Sequence, residues 1–300
     1  MANSAVANYA SKYADVLAQA YNRASVIQGK VNTEFVFDGV KSIHYYGAVT
    51  QPLNTYDRTG ANNSGAWRYG SPTEILTDVD TLTLSQDKSF SITIDKGHYK
   101  DENLVLRTGR IVKAQIGEQV VPYFDKYALD KWRTSAVGVT GFSQAPTSST
   151  VVQMFVDARS DFVNQNFQIN DKCYAYVPTS VYAMLLLNPE FISVEKLGEK
   201  HLANGVVGKV AGWTIVEVPD TYFPTVSTKD CYALFTYKDK VRAPTKIAEL
   251  KTYNDVPGIS GALIEGRYYG DAFALKTLVN ATSGSPTGTW TVQGILKAEV

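Results

Sequence analysis

The chain has 300 residues with 29 basic and 29 acidic side chains, so its formal net charge is zero, which argues against a generally basic nucleic-acid binder or an acidic solvating protein. That length can bury a real core without covalent staples, in one large domain or two modest ones. The two isolated cysteines, Cys173 and Cys231, match neither a zinc pattern nor a secreted disulfide framework and read as free thiols in a reducing compartment.

The opening "MANSAVANYASKYADVLAQAYNRAS" has no basic n-region followed by an apolar core, and no run of about eighteen apolar residues occurs anywhere. The expectation is a soluble protein made in a cytoplasm. Tyr9, Tyr13, Val16, Leu17, Ala20 and Tyr21 recur at helical spacings, which predicts an amphipathic helix whose stripe docks on its own core or on a neighbour. "EFVFDGVKSIHYYGAV" is β-branched and aromatic, hence strand. Residues 51–74, "QPLNTYDRTGANNSGAWRYGSPTE", have the composition of a long exposed loop, and such loops inside compact domains are usually functional. In "DTLTLSQDKSFSITID", Leu82 and Leu84, then Phe90, Ile92 and Ile94, alternate with polar residues around Gln86, Asp87 and Lys88. The alternation predicts a projecting hairpin with one apolar face, which is marginal in water and needs a surface beneath it.

"IDKGHYKDENL" is the densest cluster of titratable side chains, with Asp95, Lys96, His98, Lys100, Asp101 and Glu102. It reads as a strand-to-helix junction in which Asp101, Glu102 and Asn103 cap the helix that follows. A site built on His98 would need distant partners, and only His44 and His201 remain. Beyond it, Leu104, Ile111, Val112, Ile116, Val120, Tyr123, Tyr127 and Ala128 keep a helical period as far as Trp132, with Pro122 inside. A bend near Gly117 to Pro122 is predicted, in a helix that at ~1.5 Å per residue would reach about 45 Å.

"VGVTGFSQAPTSST" reads as a domain boundary. After it come a helix capped by Ser148 or Ser149 with Val152, Phe155, Val156, Arg159, Phe162 and Val163 on one face, and a short buried strand "CYAYVP". A helix capped by Thr179 or Ser180 stops before Pro189, and strands follow in "VVGKVAGWTIVEVP", "DCYALFTY" and "ALIEGRYYGDAFALKTLVN". The tail "ATSGSPTGTW" is loop-like.

Chemistry is sparse. Gly208-Lys209 lacks the first glycine of a phosphate loop, where Ala203 stands, and its Ser or Thr, where Val210 stands. Dinucleotide, Gly-x-Ser-x-Gly, His-Glu-x-x-His and Cys-x-x-Cys patterns do not occur. Asp157 and Asp161, with Arg159 nearby, read as a solvated helix face rather than a catalytic pair. Nineteen tyrosines could form a sugar platform or fill a core and subunit contacts. No catalytic residue, cofactor site or metal site is expected.

The order of parts resembles the HK97-like major capsid proteins of tailed bacteriophages. "FDGVKSIHYYGAVTQPLNTYDRTG", "LSQDKSFSITID" and "VVPYFDKYALDKW" are similar to the strand, extended loop and spine helix of phage coat proteins. "YAYVPTSVYAMLLLNPEF" and "GVVGKVAGWTIVEVP" are similar to the strand, helix and Gly-rich turn of their axial domain. The resemblance implies an α+β fold with an N-terminal arm (1–34), a peripheral domain with a long spine helix (35–145 plus 245–280), an extended β-ribbon loop (50–95), an axial domain (146–244) and a C-terminal tail (281–300). It further implies a non-enzymatic coat protein that self-assembles into hexamers and pentamers of an icosahedral shell around double-stranded DNA, in the virion and, during assembly, in the host bacterial cytoplasm. Its partners would be other copies of itself, a separate scaffolding protein, a portal, in some phages a decoration protein, and DNA held non-specifically, with no membrane. Arg58, Trp67, Arg68 and Tyr69, near the loop tip, are the expected subunit-interface residues. An encapsulin-like compartment shell would use the same fold, and a carbohydrate-binding protein would use the tyrosines on a concave face.

Overall fold

The computed structural model describes residues 25–34, 41–48, 50, 53–59, 68–70, 74–75, 77–96, 108–188, 208–253, 256–258, 260–280 and 288–300. The N-terminal stripe, the His98 junction with its Asp101–Asn103 cap, His201 and Trp67 lie outside them. In chain order the chain forms β1 (Ser42–Ala48), β2 (Thr77–Thr83), β3 (Gln86–Asp95), α1 (Thr108–Gln115), a π-helical turn (Ile116–Val120), α2 (Val121–Ser135), β4 (Val137–Gly138) and α3 (Val151–Asn164). Next come β5 (Cys173–Pro178), α4 (Thr179–Leu186), β6 (Lys209–Val210), β7 (Trp213–Val218), β8 (Cys231–Tyr237), β9 (Val241–Arg242) and β10 (Thr245–Tyr253). The last are β11 (Gly261–Gly270), β12 (Phe273–Ala274), β13 (Lys276–Asn280), β14 (Gly288–Val292) and β15 (Ile295–Glu299). They fall into two compact units, whose described residues are Ser25 and those within 86–124 and 247–269 for the smaller, and those within 26–85, 125–246 and 270–300 for the larger.

The larger unit is built on a six-stranded sheet in the order β4-β15-β8-β5-β7-β6, with β5–β7 and β15–β4 parallel and the other pairs antiparallel. Its central strands are continuous apolar runs because both faces are covered. Period two divides the side chains. Cys173, Ala175, Val177, Ala233, Phe235, Leu296 and Ala298 join one core with Val151, Met154, Phe155, Ala158 and Phe162 of α3 and Val181 and Leu185 of α4. Tyr176, Leu234 and Ile295 join another with Ala128, Leu129 and Trp132 of α2. The spacing of the α3 residues is the i, i+3, i+4, i+7 pattern of a buried helical stripe. β6 and β7 are joined by Ala211 and Gly212, both at positive φ (49° and 90°), the conformation that a two-residue hairpin turn requires.

Three expectations are corrected. The expected tail at 281–300 is corrected over its described residues, 288–300: β15 lies inside the six-stranded sheet between β4 and β8, because Ile295, Leu296 and Ala298 bury their side chains on both of its faces. β2 and β3 do not form a hairpin either. β2 pairs antiparallel with β1, from Ser42 opposite Thr83 to Ala48 opposite Thr77. β3 is an edge of the smaller unit's sheet, in the order β10-β11-β3. The alternation in 80–95 is real, but alternation says which face a residue takes and not which strand it pairs with. Finally, helix capping is less local than expected. The N-cap of α3 is Thr150, and Ser180 at the start of α4 donates from its N–H (3.0 Å) and hydroxyl (3.1 Å) to Asp220.

The chain is helical without a break from Thr108 to Ser135, and the π turn falls beside Pro122, where a bend was expected. The N–H of Val121 reaches five residues back to Ile116 O. A proline cannot donate, and widening one turn is a recognised way for a helix to absorb the disturbance. The compact units separate at 25/26, 85/86, 124/125, 246/247 and 269/270. In the smaller unit, β3 and β11 meet closely. A Cβ on Gly266 would fall 2.4 Å from the Phe90 ring, and one on Gly261 would overlap Ile94 O. Arg267 grips Asp87 through Nε (3.0 Å) and Nη2 (2.6 Å), which holds the Asp87 carboxyl below its ordinary value.

Candidate subunit interface

The β1–β2 ribbon has two unlike faces. Tyr45, Gly47, Asp78 and Asp80 face the β13–β14 hairpin. The Tyr45 ring meets Trp290 edge-on at 5.2 Å, the Trp290 Nε1–H donates to Asp78 (2.9 Å), and the Tyr45 hydroxyl donates to Asp80 (2.7 Å) while accepting from the N–H of Lys276 (3.2 Å). Burial, with the Asp80 hydrogen bond, pushes the Tyr45 hydroxyl well above the ordinary tyrosine range. Gly47 allows the ribbon to approach, since a Cβ there would sit 2.7 Å from Trp290 and 2.8 Å from Leu278. On the opposite face Tyr46 is 74% exposed, directly across from exposed Val79.

The loop between β1 and β2 is described at 53–59 and 68–70, where it is ordered by one buried carboxylate. Asp57 Oδ1 accepts from the N–H and the hydroxyl of Thr59 (2.9 Å each), and the Asp57 N–H donates to Arg68 O (3.0 Å). This brings Arg58 beside Arg68 and Tyr69, all exposed. The Tyr69 ring packs edge-on against Tyr56 at 4.9 Å. Tyr69 is 81% exposed and Leu53 wholly so. Three of the four expected interface residues are thus placed near one another. Leu53, Tyr56, Tyr46 and Val79 are further large apolar or aromatic side chains exposed on this ribbon and loop, which the sequence reading did not single out. Tyr45-Tyr46 did carry a signal, because neighbours on a strand point to opposite faces and one of the two had to be uncovered unless a second surface lay above it.

Exposed aromatic side chains packed together near arginines, as at Tyr56, Tyr69, Arg58 and Arg68, are chemistry that a protein–protein contact would use. Each large side chain it covers is worth about 1.5–3 kcal/mol of transfer free energy. Residues with acid–base potential are engaged structurally. Asp161 accepts from the Thr140 N–H (2.6 Å), Asp157 from Gln153 (2.7 Å), and Arg159 donates to Ala211 O (2.9 Å). His44 Nδ1 is bonded to the Thr81 hydroxyl (2.8 Å), and Lys209 is bonded to Asp171. Burial raises both cysteine thiols, that of Cys231 to about 12. Among the described residues no group of three or more His, Cys, Asp and Glu is placed to hold a metal ion. A groove of about 240 Å³ in the smaller unit is lined by Phe90, Gln115, Gln119, Tyr123, Phe124 and Tyr268, among others.

No family model and no curated protein matches the sequence. Solved structures do match, over nearly the whole chain. A structure from Mycobacterium phage Che8 superposes with a TM-score of 0.69 at 16% identity, covering 98% of each chain. The mature capsid of bacteriophage PhiM1 gives 0.66 at 14% identity, covering 96% of this chain and 91% of its own. The head structure of Helicobacter pylori bacteriophage KHP40 gives 0.65 at 11% identity, covering 99% and 95%. The chain has the mixed helix and strand fold of these bacteriophage capsid structures.

Proposed function

We propose that this chain is the major capsid protein of a tailed bacteriophage, a structural subunit that assembles with copies of itself into hexamers and pentamers of an icosahedral shell around double-stranded DNA. The observation that carries the reading is the match of 96% and 99% of the chain to a mature phage capsid and a phage head structure. On this reading the unbroken helix from Thr108 to Ser135 serves as the spine, and the six-stranded sheet with α3 and α4, drawn largely from residues 146–244, serves as the axial domain. The ribbon and its loop serve as the extended arm laid on the adjacent subunit. The exposed Leu53, Tyr56 and Tyr69 support that role, since a soluble monomer gains nothing from presenting them to water.

Weak contacts suffice because symmetry repeats them, and a heterologous contact closes into rings when its rotation permits. A scaffolding protein, a portal and, in some phages, a decoration protein would act with the shell, which encloses DNA without reading its sequence. A zero net charge suits a wall that confines DNA without binding it tightly. Negative-stain electron microscopy with light scattering on the purified chain tests the proposal. Closed shells, or rings of five and six, are expected. A monomer of 32.9 kDa that persists with candidate scaffolding protein would overturn it, and shells filled with a protein cargo would point to a compartment instead.

A further inference from the structure

Residues 224–230, "PTVSTKD", are all exposed, between buried Phe223 and buried Cys231. Val226 and Lys229 exchange both backbone hydrogen bonds (Val226 N–H to Lys229 O 3.0 Å, Lys229 N–H to Val226 O 2.9 Å), so Ser227 and Thr228 form a two-residue hairpin turn. Both stand at positive φ, 50° and 65°, where such a turn ordinarily takes Asn and Gly and where a β-branched threonine is out of place. The larger unit imposes the shape. Buried Arg133 donates to Pro224 O (2.5 Å) and Lys229 O (3.0 Å), the Thr225 hydroxyl donates to Asp230 (2.5 Å), and Asp230 and Val300 exchange two backbone bonds. The result is a short finger on a fixed base, which loses little further freedom when something binds it.

Val226 and Lys229 stand directly opposite each other, so their side chains share one face of the finger. Val226 is 45% exposed, and the Lys229 ammonium makes no ion pair or hydrogen bond with a described residue. An apolar side chain beside a cation is complemented by an apolar side chain beside a carboxylate. Among the described residues, the carboxylates next in sequence to exposed Val79, Val156, Leu250 and Val300 are already engaged, by Trp290 and Tyr45, by Gln153, by Lys251 and by Arg133. Glu74, beside 64%-exposed Ile75, makes no hydrogen bond or ion pair with a described residue. We propose that the finger is a contact between copies of this chain, in which Val226 covers Ile75 of the partner subunit and Lys229 meets the partner's Glu74. The inference rests on the reading of the chain as a self-assembling shell subunit. Residues 74–75 close the loop that lies on the adjacent subunit in the proposed shell, so the finger extends that same interface, head to tail.

The test uses two full-length chains, one with Val226→Cys and one, lengthened by a tag, with Ile75→Cys; the native Cys173 and Cys231 are buried. The two are mixed under assembly conditions and treated with a mild oxidant. A disulfide closes only where the two Cα atoms lie within about 7 Å, so a mixed dimer on a non-reducing gel is the expected result, in excess of what either chain gives alone. Lys229→Glu in the first chain should lower the mixed dimer about five- to tenfold, and Glu74→Lys in the second should restore it, because the charges are then exchanged rather than opposed. All four positions are exposed, so the urea midpoint of each chain should match the parent's. Rings or shells that form without the mixed dimer, or a mixed dimer indifferent to both charge changes, overturn the contact and leave the shell reading standing. A chain that stays monomeric with candidate scaffolding protein overturns the shell reading, and this contact with it.

Discussion

Replacing Arg133 by methionine removes a charge that the larger unit holds in its interior. The Arg133 side chain is 3% exposed and that of its partner Glu299 11%. Nε and Nη2 donate to Glu299 Oε1 at 3.0 and 2.5 Å, Nη1 donates to Pro224 O at 2.5 Å, and Nη2 also reaches Lys229 O at 3.0 Å. One side chain thus ties the end of α2 to β15 and to the 224–229 turn. Arg133→Met keeps the packing of the stem but strips two carbonyls and a carboxylate of their donors. Breaking a buried pair costs about 3–5 kcal/mol. Lys297 still reaches Glu299 at 2.7 Å, so the lower end, about 3 kcal/mol, is expected, against a total stability of order 5–15 kcal/mol.

Urea unfolding followed by tryptophan fluorescence measures the loss, with buried Trp132 adjacent in sequence as the reporter. Arg133→Met with Glu299→Leu should cost much less than the sum of the single changes, because removing both charges leaves neither unpaired. Burial pushes the Glu299 carboxyl up, but the hydrogen bonds and charges of Lys297 and Arg133 outweigh it and hold the group below its ordinary 4.5. A depressed folded value means that the pair's contribution is present above about pH 4.5 and is lost as pH falls through the folded value. The gap between parent and Arg133→Met should therefore narrow in acid. A loss under about 0.5 kcal/mol for Arg133→Met at pH 7, the range of surface substitutions, would refute the reasoning.

Deleting residues 58–72 should leave a folded, soluble chain that does not assemble, and shells of normal size by electron microscopy would sink the role given to the loop. Gly47→Val drives methyl groups into Trp290 and Leu278 and should destabilise the ribbon–hairpin contact by about 1–3 kcal/mol, read as an altered near-ultraviolet circular dichroism signal from Trp290. Cys173 and Cys231, both buried and with raised thiol values, should resist a thiol reagent at pH 8 and react in full only in denaturant. Fast labelling of the native chain would show that the core of the larger unit opens.

Much of the local structure was legible because it rests on short-range pattern. The apolar runs of "CYAYVP" and "DCYALFTY" became β5 and β8, and the helical period up to Trp132 became α1, the π turn and α2. Pro122 marked the place where the helix is distorted, since a missing N–H acts on its own turn. The loop composition of residues 51–74 pointed to the surface where Arg58, Arg68 and Tyr69 lie. What the tertiary structure alone decided was pairing. β2 joins β1 and not β3, and the last five-residue strand enters the sheet between β4 and β8. Alternation specifies the face of a strand but leaves its partner to whichever edge buries that face best. The same holds for polar groups. Arg133 looks like an ordinary surface charge in the sequence, and only its burial beside carbonyls and a carboxylate from distant segments makes it a fastener.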